Sequence, residues 1–135
     1  MYYIDTDVLI HFLVNQNSSL HSQAKILLHQ FVEEGNLSLS WLSIQEAAFV
    51  LAKLNQPNDV IITSLDFLTA TIPINYGPAE FARAVTLAKL VGFKNFNDCL
   101  HTAIAEQYCT DLYTCNIKDF GIIKDHTFLN IHFVR

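Results

Sequence analysis

Two acids, Asp5 and Asp7, stand directly after Tyr2–Ile4, an apolar, β-prone run that would hand over to a helix. A carboxylate there accepts hydrogen bonds from the amides opening the helix, and that alone would justify an acid. It is also the place where open parallel sheets bind ligands, beyond the carboxyl ends of their strands. The whole chain has 13 Asp and Glu, so two among its first seven residues point to a site. Asp5 is the stronger candidate, Asp7 supports it from about 200° further round a helix, and the Thr6 hydroxyl either caps or orients a carboxylate. Glu46 follows a second apolar run, Leu37–Ser40. Ser43-Ile44-Gln45-Glu46 reads as a capping box, while Ser40, Ala47 and Ala48 would give the acid a small-residue rim at the sheet edge. Asp98 falls in the first turn of a helix beginning at Asn97, and Asn116 and Asp119 follow the run Leu112–Cys115. Three or more carboxylates brought together repel one another and must hold protons or share a cation. Their hard oxygens suit Mg²⁺ or Mn²⁺, as one or two ions. No His and Cys residues have zinc-site spacing.

The elements that position these groups alternate. Val8, Leu9, Phe12 and Leu13 fall at helical spacing, and Ser18 and Ser19 cap a second helix with Ala24, Leu27, Leu28 and Phe31 on one face. Leu37–Ser40 is a strand. Ser43 opens a helix running to Leu54, Asn55 to Asn58 break it, and Val60, Ile61, Leu65 and Leu68 mark its hairpin partner. Thr71–Asn75 reads as a third strand, Phe81 to Leu90 as a helix ending at Gly92, and Asn97 as the cap of Asp98–Tyr108. Leu112–Cys115 and Leu129–Phe133 complete about five strands. Strands separated by helices require an α/β fold with a central, mostly parallel sheet and helices on both faces.

With 135 residues, 51% hydrophobic and 16% charged, the chain reads as one domain, residues 1–135, able to bury a sizeable core. Its net charge of −5 excludes polybasic binding to nucleic acid. The opening segment carries acids and no basic n-region, and no apolar run reaches membrane-spanning length; together with three cysteines lacking a C-x-x-C pair, this predicts a cytoplasmic protein with reduced thiols and no membrane.

Four short segments resemble the PIN domain family, and most of all its small VapC-type toxin ribonucleases: Tyr3-Ile4-Asp5-Thr6-Asp7-Val8-Leu9-Ile10, Ser40 to Glu46, Asp98-Cys99-Leu100-His101-Thr102-Ala103, and Thr114-Cys115-Asn116-Ile117-Lys118-Asp119-Phe120. The resemblance implies a PIN-like three-layer α/β/α sandwich in which Asp5, Glu46 and Asp98 hold the metal. Thr114 would orient the fourth group. That family often has Asp where this chain has Asn116, which leaves Asn116 and Asp119 as candidates for the fourth position. The implied activity is metal-assisted hydrolysis of RNA phosphodiester bonds, with Arg83, Lys89, Lys94, Lys118 and Lys124 available to guide the RNA backbone. His101, one turn beyond Asp98, could touch substrate or be a hydrogen-bonded core histidine. The implied partners are a second copy, giving a homodimer, and an antitoxin lying beside the helical hairpin at about residues 43–70. A mean hydropathy of +0.26 agrees with apolar surface in need of cover. Rival readings are a phosphatase of the haloacid-dehalogenase type, suggested by Asp5-x-Asp7, and a PIN-fold binding module without catalysis. A receiver domain would need an Asp ending the third strand, and none is there.

Overall fold

A computed structural model describes residues 1–135. In chain order the elements are β1 (Tyr2–Ile4), α1 (Thr6–Leu13), α2 (Ser18–Glu33), β2 (Leu37–Ser38), α3 (Trp41–Lys53), α4 (Asn58–Thr69), α5 (Pro78–Val91), α6 (Phe96–Tyr108), β3 (Asp111–Thr114), α7 (Ile117–Ile123) and β4 (Asn130–Phe133). All strand pairs are parallel, in the order β2-β1-β3-β4. Parallel neighbours cannot be joined by a hairpin, so the helices serve as crossovers and cover both faces. Alternation along β1 divides the core in two. Tyr3 packs with Leu112 against Ala84, Leu87 and Ala88 of α5, Ala103 and Ile104 of α6, and Phe120 and Ile123 of α7. Ile4 packs against Val8 and Leu9 of α1, Leu28 and Phe31 of α2, Ile44 and Leu51 of α3, and Leu68 of α4. Each such fully buried large side chain contributes ~1.5–3 kcal/mol. The result is the expected α/β/α sandwich.

The sheet has four strands, not five. Thr71–Asn75 contributes a single parallel bridge, Ser40 to Ile74, in which the Ile74 amide bonds the Leu39 carbonyl and the Trp41 amide bonds the Ile74 carbonyl. Ile72 has φ +57° and Pro73 has no amide hydrogen, so neither residue can continue a ladder. The same bridge moves the start of α3. Its N-cap is Ser40, whose Oγ accepts the Ser43 amide at 3.1 Å, so Ser43 lies inside the helix and the capping box with Glu46 does not form. Asn97 is likewise inside α6, which begins at Phe96 with no side-chain cap. Residues Ile117–Ile123, between the strands expected at Leu112–Cys115 and Leu129–Phe133, form a further helix, α7, capped by the Asn116 side chain, which accepts the Asp119 amide at 3.2 Å.

From β1 the chain crosses to β2 on one side, while β3 and β4 lie on the other. The switch point therefore falls between the carboxyl ends of β1 and β3, where side chains following both strands face a crevice instead of a crossover.

Candidate active site

Asp5 ends β1 and is the N-cap of α1, its Oδ1 accepting the Thr6 amide at 2.8 Å. Across the switch point Thr114, at the end of β3 and fully buried, donates its hydroxyl to Asp5 Oδ2 at 2.8 Å and accepts the Asn116 amide at 3.0 Å. Both carboxylate oxygens are thus fixed, and the cap and site readings of Asp5 describe one arrangement. Asp7 is directed to the same place. The Cys115 amide reaches both of its oxygens at 3.1 Å, and Thr114 Oγ1 lies 3.4 Å from Oδ2. Burial, together with the charge of Asp5, pushes the Asp7 carboxyl up to about 7 against those hydrogen bonds.

Glu46 reaches the site from α3. Its Oε1 accepts the Thr6 hydroxyl at 2.7 Å and pairs with His101 Nε2, and its Oε2 accepts Asn97 Nδ2 at 3.1 Å. Burial alone would raise this carboxyl, but the bond and charge of His101, with Thr6 and Asn97, hold it below the usual range. His101 is completely buried. Its Nδ1 is 2.7 Å from Tyr3 Oη, which also meets Ser40 Oγ at 2.6 Å and Ser43 Oγ at 3.1 Å, and its Nε2 is 3.7 Å from Asp5 Oδ1. Burial would depress the imidazole pKa, yet Tyr3, Glu46 and Asp5 hold it well above its ordinary value. A buried polar chain from Tyr3 through His101 to Glu46 thus runs beneath the crevice. Every link has a partner, as low-dielectric surroundings demand.

Asp98, in the first turn of α6, accepts Asn116 Nδ2 at 3.3 Å, and the same amide donates to Asp119 Oδ2 at 2.9 Å. Burial first, then the charge of Asp5, push the Asp98 carboxyl up to about 7; Asp119 and Asp7 add to this and His101 opposes it. Asp5, Thr6, Asp7, Glu46, Asp98, His101 and Asn116 all line one cleft of about 790 Å³. Asp119 stands behind Asn116, and Ser40 and Thr114 lie beneath the cleft without lining it. In this arrangement no three His, Cys, Asp or Glu side chains converge as a closed ligand set: Glu46 faces His101, Thr6 and Asn97, and Asp119 faces Asn116. All the acids are oxygen donors, and burial first, then the charge of Asp5, raises the pKa of Asp7 and Asp98; a donor set of this kind fits a hard divalent cation.

A family model for the PIN domain matches residues 2–121. The chain belongs to the PIN domain family. Among solved structures, this PIN domain is similar to a chain of VapBC2 from Rickettsia felis, a crystal structure of that pair bound to a DNA fragment from its promoter. The TM-score is 0.72 and the identity 19%, over 99% of this chain and 98% of that one. No protein curated for function matches the sequence. The family match leaves the haloacid-dehalogenase reading without support.

The PIN fold thus collects Asp5 and Asp7, Glu46, Asp98 and Asn116 from four separate stretches of chain. Asn97, expected as the cap of α6, instead donates its amide to Glu46 from 51 residues away. Arg83 is not free for RNA. Its guanidinium grips both oxygens of Glu106, at 2.9 and 3.0 Å, and the His126 carbonyl at 2.9 Å, tying α5 and α6 to the segment before β4. Lys89, Lys94, Lys118 and Lys124 are exposed. None of them lines the cleft.

Proposed function

We propose that this PIN domain is a metal-dependent endoribonuclease that hydrolyses RNA phosphodiester bonds, and that it is the toxin of a type II toxin–antitoxin pair. One observation carries the reading: Asp5, Asp7, Glu46 and Asp98 share a single cleft at the switch point of the sheet. Asp5, Glu46 and Asp98 would hold Mg²⁺ or Mn²⁺, with Asn116 or Asp119 at the fourth position. When bound, such an ion supplies charge neutralisation at the phosphate and acidifies water for attack. Thr114 and the Thr6 amide hold Asp5 in one orientation, and His101, Thr6 and Asn97 keep Glu46 ionised and aimed. The side-chain geometry is therefore set before substrate arrives. The VapBC2 similarity supports an antitoxin as partner, and exposed Val60, Ile62 and Phe67 on α4 offer it, or a second copy, apolar surface.

A second reading, a PIN-fold binding module without catalysis, draws on Asn116 in place of an acid and on Glu46 being already satisfied by three donors. Thermal melting in chelator and in Mn²⁺ or Mg²⁺, alongside cleavage of end-labelled RNA, separates the two. The nuclease reading expects stabilisation of roughly 2.7 kcal/mol at a hundredfold excess of ion over its Kd, with cleavage only in the ion. Absence of both would end it.

The fourth position is open to a direct comparison. Asn116 lines the cleft and bridges Asp98 to Asp119, so Asn116→Ala should slow single-turnover cleavage more than Asp119→Ala, by about tenfold. Equal, near-native rates would remove both residues from the site.

A further inference from the structure

α3 carries more into the cleft than Glu46. Gln45, Phe49 and Lys53 recur every four residues and form one stripe beside it. Phe49 is 65% exposed, and of the exposed large apolar residues it alone lines the acid cleft. Lys53 Nζ lies over its ring, 5.4 Å from the centroid. Beside the acids, the cleft is also lined by the amides of Gln16, Gln45 and Asn97, and by Ile10, His11 and Val50. The Lys53 ammonium lies against the ring, yet most of the side chain stays in water outside both core clusters, and such an exposed ring is the usual platform for an unstacked nucleobase. The Gln16 and Gln45 amides carry the donors and acceptors that meet base edges, and the ammonium at the ring suits the next phosphate.

Resting on the ribonuclease reading, we infer that Phe49 is the stacking platform of a subsite for one unpaired base adjoining the scissile phosphate, with Lys53 as its phosphate contact. The cleft favours a nucleotide over an apolar peptide from a protein partner, because only Ile10, Phe49 and Val50 among its lining residues are hydrophobic. A duplex keeps its bases stacked, so the platform takes a base only from an unpaired stretch.

The test is fluorescence anisotropy with a short single-stranded oligoribonucleotide and its abasic counterpart, in Ca²⁺ so that the acidic floor is neutralised. The wild-type chain should prefer the base-bearing oligomer by about tenfold, or ~1.4 kcal/mol, as one base stacked on an aromatic ring contributes. Phe49→Ala should bring that preference close to one, and Phe49→Trp should restore it. Lys53→Ala should weaken both oligomers and flatten the salt dependence while keeping the preference. A preference that survives Phe49→Ala returns this face to a protein partner and overturns the subsite, leaving the nuclease reading intact. Failure of the wild-type chain to bind either oligomer removes the ribonuclease reading itself, and the subsite with it.

Discussion

Asp98→Asn is expected to lower metal-dependent RNA cleavage by at least about a hundredfold while making the metal-free protein more stable above neutral pH. The two effects share one cause. Burial and the charge of Asp5 raise the Asp98 carboxyl to about 7, so the folded chain holds a proton there that the unfolded chain has released near pH 4. Between those values the native state binds more protons than the unfolded state, and stability falls as pH rises. Asp7, also raised to about 7, adds to the same slope. Melting in chelator should therefore show wild type losing stability from about pH 5 to pH 7.5. Asp98→Asn should flatten that decline, gaining most at high pH and little at pH 5. Mn²⁺ should restore wild type at pH 7.5 and leave the variant almost unmoved, since the amide keeps the volume and loses the charge. A variant that melts lower at every pH would show that Asp98 serves α6 as a helix-start acid and nothing more.

The local signals in the chain were strong enough to place Asp5, because a strand that ends in an acid and hands over directly to a helix is written in adjacent residues. Glu46 and Asp98 could be nominated the same way. What adjacent residues could not reveal is what those acids touch. Asn97 and His101 find Glu46 across 51 and 55 positions, and a lone Asn at a helix start looks like a cap until the partner helix is in place. Ser43 reads as the cap because Glu46 stands three residues on, as a capping box requires. The choice falls to Ser40 because Ile74, more than 30 residues on, pins the amide of Trp41 and the carbonyl of Leu39. The lost fifth strand has the same origin: Ile72 takes a left-handed backbone that β-branched residues avoid. Arg83 shows the converse, a basic residue whose charge is consumed by Glu106 and whose sequence surroundings give no sign of it.

His101→Leu should cost roughly 1–3 kcal/mol of stability, the usual penalty when a buried hydrogen-bonding group loses its partner. Tyr3 keeps Ser40 and Ser43, so the loss falls on Glu46, which retains only Thr6 and Asn97. Without the imidazole, burial is opposed only by Thr6 and Asn97, so the Glu46 carboxyl should rise and the acid limb of the pH–rate profile move upward. Cleavage should fall by about tenfold or more through kcat, with KM little changed, because His101 is buried and offers substrate almost no exposed surface. A core histidine without influence on the site would lower the melting temperature and leave the pH profile in place. The decisive comparison is a double-mutant cycle. If His101 acts by holding Glu46, then His101→Leu combined with Glu46→Gln should be no slower than Glu46→Gln alone. Losses that multiply would mean that His101 reaches the reaction by another path, the nearest being Asp5, 3.7 Å from its Nε2.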